Sequence, residues 1–203
     1  MSKAKIRLSQ KEKELVIDAS FILTKNAILE KVKHLLSDLQ EKQQIFLNHP
    51  QLFTAADYKK LSAKISKGEN YKGLPYLMLD YPRIFGNSSI FAIRTMFWWG
   101  NFFSVTLHLS GGYKKKFEKK IITSFSVLAK KEVFCCVNED QWQHDFETGN
   151  YIQLSGINMT DFKKLISEKP FIKLATKIPL DQWDDAIDTL LNYFRQIIEI
   201  LDD

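Results

Sequence analysis

The sequence predicts an α+β protein with a mainly antiparallel sheet, flanked by N-terminal, middle and C-terminal helices. Apolar residues recur at helical spacing near both ends of the chain, and between them they alternate with a period of two over consecutive segments. A chain of 203 residues, 45% hydrophobic and 26% charged, can bury one sizeable core. Since no linker-like or low-complexity stretch divides it, we expect a single domain, residues 1–203.

The N-terminal segment 9–47 is expected to be helical. As one rod it would be about 57 Å long at 1.5 Å per residue, whereas a compact domain of this size has a radius of gyration of about 17 Å. Either the helix breaks near Lys25 and Asn26, or it projects and finds a partner. A shorter helix is predicted from Thr54, where Asp57 completes a start that resembles a capping box.

The central and C-terminal parts alternate between strands and helices. Helices are predicted from Gly111 to about Lys131, from Thr160, and from about Leu180 to Leu201. Strands are predicted at 76–85, 90–99, 102–110, 133–137, 151–155 and 171–178.

The aromatic stretch "AIRTMFWWGNFFSVTLHLSGG" is predicted to be a hairpin. If Gly100 and Asn101 form a two-residue turn, Trp99 lies opposite Phe102 and the numbers of every cross-strand pair sum to 201. We expect the aromatic side chains to lie mostly in the core, because strands and cores favour such residues. A ligand-binding aromatic platform that includes Trp99 is the alternative.

Arg83 and Arg94 are the first candidate site. If residue 85 pairs with residue 90, the two arginines share one face with Tyr81 and could bind a phosphate or carboxylate. The alternative is that each arginine is paired with a helix carboxylate, since a buried arginine needs a partner. Pro82 could mark a bulge that changes this register.

Asp80 and His108 are the second candidate site. A carboxylate that orients an imidazole beside Ser104, Thr106 or Ser110 has the parts of a general base with a hydroxyl nucleophile. No nucleophile-elbow motif accompanies them. A hydrogen-bonded histidine and a satisfied aspartate are the structural alternative.

The cysteines give little support for a metal or a nucleophile. Cys135 and Cys136 are adjacent on a predicted strand, which places their thiols on opposite faces. An apolar strand raises the pKa of a thiol rather than lowering it. His144 and Trp142 are expected to cap or cover the sheet. We expect no metal and no cofactor.

Charge is distributed unevenly, although the net charge is only +5. Residues 112–131 hold seven lysines and one glutamate, and residues 180–203 hold seven acids and one arginine. Five of the lysines, in the segment Lys114–Lys120, are expected to form a solvated helix face. Non-specific nucleic-acid binding through this helix is an alternative, but no nucleic-acid-binding motif supports it.

No apolar signal core or membrane-length apolar run is found in the sequence, so we expect a cytoplasmic protein without a membrane partner. The adjacent cysteines agree with a reducing compartment, since neighbouring cysteines rarely form a disulfide. The long N-terminal segment and the charge asymmetry favour a homodimer.

Three strings, "KISKGENYKGLPYLMLDYPRIF", "FAIRTMFWWGNFFSVTLHLSG" and "FIKLATKIPLDQW", resemble those of a family of uncharacterised bacterial proteins of similar length. The resemblance covers nearly the whole chain. It implies a self-contained domain and implies no activity, ligand or catalytic residue.

These observations favour a cytoplasmic binding or interaction protein without catalytic chemistry. An enzyme acting on a small anionic substrate is the second hypothesis, with Arg83 and Arg94 as the anion clamp and Asp80 and His108 as acid–base groups. A nucleic-acid binder is the third. A deep cleft holding both pairs would favour the enzyme, and a filled sheet with paired arginines would favour the binding protein.

Overall fold

The computed structural model describes residues 6–47 and 61–202. The helix predicted from Thr54 lies outside these residues. The described part contains six α-helices, two 3₁₀ turns (Leu154–Gly156 and Leu180–Asp185) and seven strands. The helices are α1 Gln10–Ile17, α2 Ala19–Leu47, α3 Gly111–Thr123, α4 Phe125–Leu128, α5 Met159–Glu168 and α6 Ala186–Asp202. The strands are β1 Ser62–Tyr71, β2 Leu74–Phe85, β3 Ile90–Trp98, β4 Phe102–Ser110, β5 Phe134–Cys136, β6 Tyr151–Gln153 and β7 Phe171–Pro179.

The seven strands form one antiparallel sheet in the order β1-β2-β3-β4-β7-β5-β6. The predicted α+β class is therefore confirmed. Helices pack on one side of the sheet, the helix face, where α2, α3 and α6 contact the central strands. The other side, the loop face, lies under residues 138–150, which we call the covering segment.

The main core lies on the helix face. Phe91 and Phe103 from the sheet, Leu36 from α2 and Phe194 from α6 are completely buried there in one apolar cluster. Burying a side chain of this size contributes about 1.5–3 kcal/mol. The aromatic residues of the β3–β4 hairpin are buried, as the sequence predicted, apart from Trp99, which is half-buried.

The N-terminal segment breaks at Asp18 and not near Lys25 and Asn26, where α2 is continuous. Asp18 has extended backbone angles, and its carboxylate accepts hydrogen bonds from the backbone N–H and the hydroxyl of Ser20. This side chain satisfies a donor at the start of α2, so the chain bends without leaving that N–H unpaired. None of the residues of α1 is buried.

The hairpin register differs from the prediction by one residue. The loop is Trp99-Gly100-Asn101, with Gly100 at φ +71°, and Trp98 lies opposite Phe102, so the pair numbers sum to 200. Glycine adopts this left-handed conformation without a steric penalty, which permits a three-residue loop in place of the expected two-residue turn. A slip of one residue reverses which faces meet across the hairpin, and here it unites the apolar residues of β3 and β4 on the helix face.

A bulge in β2 changes the other register. Phe85 pairs with Ile90 as predicted, but the pairing shifts between Arg83 and Asp80, and Asp80 pairs with Arg94. Pro82 lies in the bulge, where a residue without an N–H can be accommodated in a strand. As a result Asp80 lies on the same face as Arg94, not on the opposite face as predicted.

The strand β1 is not among the strands that the sequence predicts. Most of its side chains are polar and exposed, and it forms an edge of the sheet. Such a strand has no apolar alternation, and its partner β2 determines its conformation.

Candidate functional site

A layer of polar side chains lies between the loop face and the covering segment. The sheet register places Asp80, Arg94 and Thr106 side by side across β2, β3 and β4. Two residues further along β4 from Thr106, on the same face, His108 lies opposite Lys173 of β7. The layer therefore results from the register of the central strands, and an apolar cluster of Met78, Met96, Trp98 and Phe102 borders it.

Asp80 and Arg94 form a buried ion pair. Arg94 Nε donates to Asp80 Oδ1 at 2.6 Å, and Nη2 lies 3.5 Å from Oδ2. Their side chains are only 12% and 8% exposed. Arg94 is thus paired with a protein carboxylate, as the structural alternative required, although this carboxylate belongs to the adjacent strand and not to a helix.

His108 is completely buried, and its hydrogen-bond partner is Gln141 of the covering segment. Its Nε2 lies 2.9 Å from Gln141 Oε1, and its ring lies edge-on to Trp142 with 5.4 Å between the centroids. Burial lowers the pKa of His108 to about 4, and the charges of Lys173 and Arg94 act in the same direction. His108 is therefore neutral at pH 7.

Lys173 is 1% exposed and has no carboxylate partner within ion-pair distance among residues 6–47 and 61–202. Its ammonium group donates to the backbone carbonyl of Gln143 and lies 5.4 Å from the ring centroid of Tyr151. Burial lowers the pKa of Lys173 to about 8. Arg94 and Lys173 thus place two cations in the layer.

The covering segment is held by the hydroxyl of Tyr71, at the end of β1. This hydroxyl donates to Asp145 Oδ2 at 2.8 Å and accepts from the backbone N–H groups of His144 and Asp145 at 2.7 and 3.1 Å. Lys72 Nζ pairs with the carboxylates of Asp145 and Glu147 at 3.1 and 2.7 Å. Phe146 packs on Phe102 and Tyr151 with centroids 5.1 and 4.8 Å apart. These contacts close the loop face.

His144 lies inside the covering segment, next to Tyr71, with 5.7 Å between the ring centroids. Burial is the main cause that lowers the pKa of His144 to about 2; Arg94, Lys173 and His108 act in the same direction, and Asp145 opposes them. His144 and Trp142 cover the sheet, as predicted.

Two polar atoms of this layer have no hydrogen-bond partner in the described part of the chain. These are Nη1 of Arg94 and Nδ1 of His108, both buried. A buried polar atom without a partner is destabilising by about 1–3 kcal/mol, and such atoms in a folded protein often mark a site for a ligand or an ordered water. Nε of Arg83 is likewise buried without a partner.

A surface cavity of about 530 Å³ opens beside the layer. Its lining includes Phe85 from the end of β2, Ser110 from the end of β4, Phe171 from β7, and Gln141 and Trp142 from the covering segment. The rings of Phe85 and Trp142 are stacked 6.4 Å apart, and the guanidinium carbon of Arg94 lies 6.0 and 5.7 Å from their centroids. Arg94 therefore lies directly behind the wall of the cavity.

The structure brings together only part of the predicted ligand-binding set. Arg83 and Arg94 lie on the same face, and their guanidinium carbons lie 5.1 and 6.0 Å from the ring centroid of Phe85. Tyr81 and Trp99 instead belong to the cluster on the helix face. The bulge moves Tyr81, and Trp99 lies in the hairpin loop beyond the end of β3, on the opposite face from Arg94.

The expected pairing of Asp80 with His108 is not observed. The carboxylate of Asp80 binds Arg94, and the imidazole of His108 binds Gln141. An aspartate engaged in this way does not orient the histidine, so the two side chains do not form a general-base pair.

The cysteines are buried free thiols. Burial raises the pKa of both Cys135 and Cys136, as expected of an apolar strand, which makes them poor nucleophiles at neutral pH. Within residues 6–47 and 61–202, no group of three or more histidine, cysteine or acidic side chains is placed to hold a metal ion.

The lysines of α3 do not form a uniform solvated face. Lys114 is buried and donates to the backbone carbonyls of Ser167 and Lys169 at 3.2 and 2.5 Å, which corrects the prediction for this residue. Lys120 donates to the carbonyls of Leu201 and Asp202, at the end of α6. These two ammonium groups therefore donate hydrogen bonds to backbone carbonyls at the ends of α5 and α6.

The sequence reasoning missed Lys173. In the predicted strand 171–178 the residues alternate, and Lys173 and Lys177 lie on the polar side. In the structure this side is covered at Lys173 and exposed only at Lys177. The one available signal was Trp142 in "NEDQWQHDF", which predicted a segment that covers the sheet.

No helix in the described residues is long and apolar enough to span a bilayer. No protein-family model, curated protein or solved structure matches the chain.

Proposed function

We propose that the protein is a binding protein that forms a homodimer, and that the dimer is built by an N-terminal arm of residues 10–27. The arm comprises α1 and the first nine residues of α2. The observation that carries this proposal is the exposure of its apolar side chains. Six large apolar residues within nine positions are 48–82% exposed: Leu15, Val16, Ile17, Phe21, Ile22 and Leu23.

The amount of apolar surface on the arm supports a dimer. These side chains expose roughly 600 Å² together, and a standard protein interface buries about 800 Å² on each partner. Exposed apolar patches of this size on a soluble protein usually mark an interaction surface. From Leu29 onward, α2 buries most of its apolar residues against the sheet and α6. Ile45 is the one large apolar side chain of that part of α2 that is exposed, so the cluster of exposed apolar residues is confined to the arm.

The order of the residues favours a second copy over an unrelated partner. The exposed residues are symmetric about Ala19, in the pairs Leu15 and Leu23, Val16 and Ile22, and Ile17 and Phe21. A two-fold dimer brings each surface against itself, so that residue i meets residue j and residue j meets residue i. Antiparallel arms that cross at residue 19 bring the apolar part of one arm beside the apolar part of the other.

The mass of the protein in solution tests this proposal. We expect twice the chain mass of 23.7 kDa by light scattering at micromolar concentration, and the monomer mass for the variant Ile17→Asp/Phe21→Asp. Both positions are solvent-exposed, so the variant should fold with an unchanged circular dichroism spectrum.

The matched control is Ile45→Asp, since Ile45 is 67% exposed on the same helix but outside the arm. This control should remain a dimer. A wild-type mass of 23.7 kDa, or equal dissociation of the arm variant and the control, would contradict the proposal.

The cytoplasm is the proposed location, and buried free thiols support it because a reducing compartment keeps cysteines in this form. The resemblance to uncharacterised bacterial proteins agrees with a bacterial origin. The enzyme hypothesis is less favoured, because its acid–base pair is not formed: Asp80 binds Arg94, and His108 binds Gln141. Binding of a small anion is taken up below, and no observation favours nucleic acid.

A further inference from the structure

The cavity between β2, β4 and the covering segment has features of a ligand site that are independent of the arm. His108 and Arg94 lie behind its wall, each in contact with residues that line it. Gln141 is hydrogen-bonded to His108, and Phe171 and Trp142 contact the imidazole with centroids 6.2 and 5.4 Å apart.

The two partnerless atoms behind this wall have opposite hydrogen-bonding roles. Nη1 of Arg94 is always a donor. Nε2 of His108 faces the carbonyl oxygen of Gln141, so in the neutral imidazole it carries the proton, and Nδ1 is left as an acceptor. A group that satisfies both atoms must accept one hydrogen bond and donate another.

Charge determines what kind of group this is. Arg94, Arg83 and Lys173 bring three positive charges to the loop face, and the carboxylate of Asp80 is the ion-pair partner of one of them. In the described residues, no ion pair is found for Arg83 or Lys173. The remaining positive charge favours an anion, because charges in a site of low dielectric are screened weakly.

We propose that the cavity binds a small oxyanion that carries its own hydroxyl group, with Arg94 Nη1 donating to the anionic oxygen and His108 Nδ1 accepting from the hydroxyl. Hydrogen phosphate and short hydroxycarboxylates share this chemistry. The ligand enters from the cavity past Trp142, whose side chain covers both residues and is itself 46% exposed.

Two matched pairs of anions test the proposal on the full chain at pH 7. Phosphate and sulfate differ in that only phosphate keeps a proton at this pH, and glycolate and acetate differ by one hydroxyl. The anions are added at 10 mM and constant ionic strength. We expect the hydroxyl-bearing member of at least one pair to raise Tm by about 3 °C, which is the shift for a ligand of millimolar affinity. The other member of that pair should leave Tm unchanged. A response to phosphate alone assigns a phosphoryl ligand, and a response to glycolate alone assigns a hydroxycarboxylate.

Variants locate the binding. Arg94→Lys keeps the charge beside Asp80 but lacks Nη1, and it should weaken binding about tenfold, the loss of one charged hydrogen bond. The control is Arg195→Lys on α6, where the guanidinium carbon of Arg195 lies 5.5 Å from the ring centroid of Phe46. This control should bind the anion normally.

Three results would overturn the proposal. Equal responses within both anion pairs would indicate a general salt effect. No response to any of the four anions would mean that water alone satisfies the two atoms. Equal loss of binding in the Arg94→Lys and Arg195→Lys variants would place the anion elsewhere.

Discussion

Replacing Arg94 by methionine should destabilise the protein by about 3 kcal/mol, because it leaves the carboxylate of Asp80 buried without its partner. Breaking a buried ion pair from one side is destabilising by about 3–5 kcal/mol, and with 12% and 8% exposure this pair belongs to the buried class. The lower end of the range applies, since methionine also removes the partnerless Nη1 atom and keeps much of the apolar volume.

The pair itself contributes much less than this loss, and a double-mutant cycle separates the two quantities. Asp80→Leu should also be destabilising by about 3 kcal/mol, whereas Asp80→Leu/Arg94→Met should lie within about 1 kcal/mol of the wild type, since two apolar side chains replace a buried pair without stranding a charge. The expected coupling, the amount by which the two single losses exceed the loss in the double variant, is therefore about 5–7 kcal/mol.

Urea unfolding at 25 °C, followed by far-ultraviolet circular dichroism, measures all four free energies of unfolding. The control cycle uses Lys67 and Glu69, an ion pair at 2.8 Å whose side chains are 48% and 53% exposed, for which coupling below about 1 kcal/mol is expected. If the two single variants at Arg94 and Asp80 were additive, or if Arg94→Met lost less than about 1 kcal/mol, burial of the pair would not have the effect argued here.

Two further predictions concern protonation and a helix end. Because burial holds the pKa of His108 at about 4 and that of His144 at about 2, against 6.5 for the unfolded chain, the unfolded state binds more protons below pH 6.5. Stability should therefore fall as the pH decreases from 6.5 to 5.5, by about 1 kcal/mol for each histidine. Urea midpoints measure this, and a slope that His144→Gln does not reduce would count against it. Lys120→Met should be destabilising by about 1 kcal/mol in the same assay, since Lys120 donates to the carbonyls at the end of α6. Lys115→Met, on the exposed side of α3, should have no measurable effect, and equal losses in the two variants would refute the role given to Lys120.

The alternation of β3 and β4 could be predicted from the sequence, but their register could not. Alternation with a period of two shows which residues share a face within one strand. Which faces meet across a hairpin depends instead on whether its loop has two or three residues. Here Gly100 makes the three-residue loop possible. That difference of one residue moved His108 onto the same face as Arg94.

The covered layer escaped prediction for a different reason. Lys173 alternates with apolar neighbours in the same way as an exposed lysine. This pattern shows which side of the strand is polar, but it does not show whether another segment covers that side. Its burial depends on the covering segment, whose position is set by Tyr71 about 70 residues earlier in the chain. A contact over this separation leaves no local pattern in the sequence.

The protonation state of His108 links the charge of the layer to the selectivity we propose for the cavity. Positive charge on Arg94 and Lys173 opposes protonation of the histidine, in addition to the effect of burial. A protonated imidazole would offer N–H donors on both nitrogens, and any oxyanion would then fit. Because His108 stays neutral and its Nε2–H donates to Gln141 Oε1, Nδ1 presents a lone pair, which repels a fully deprotonated oxygen and attracts a hydroxyl. The same cations that draw an anion to the loop face thus restrict the site to anions that carry a proton of their own.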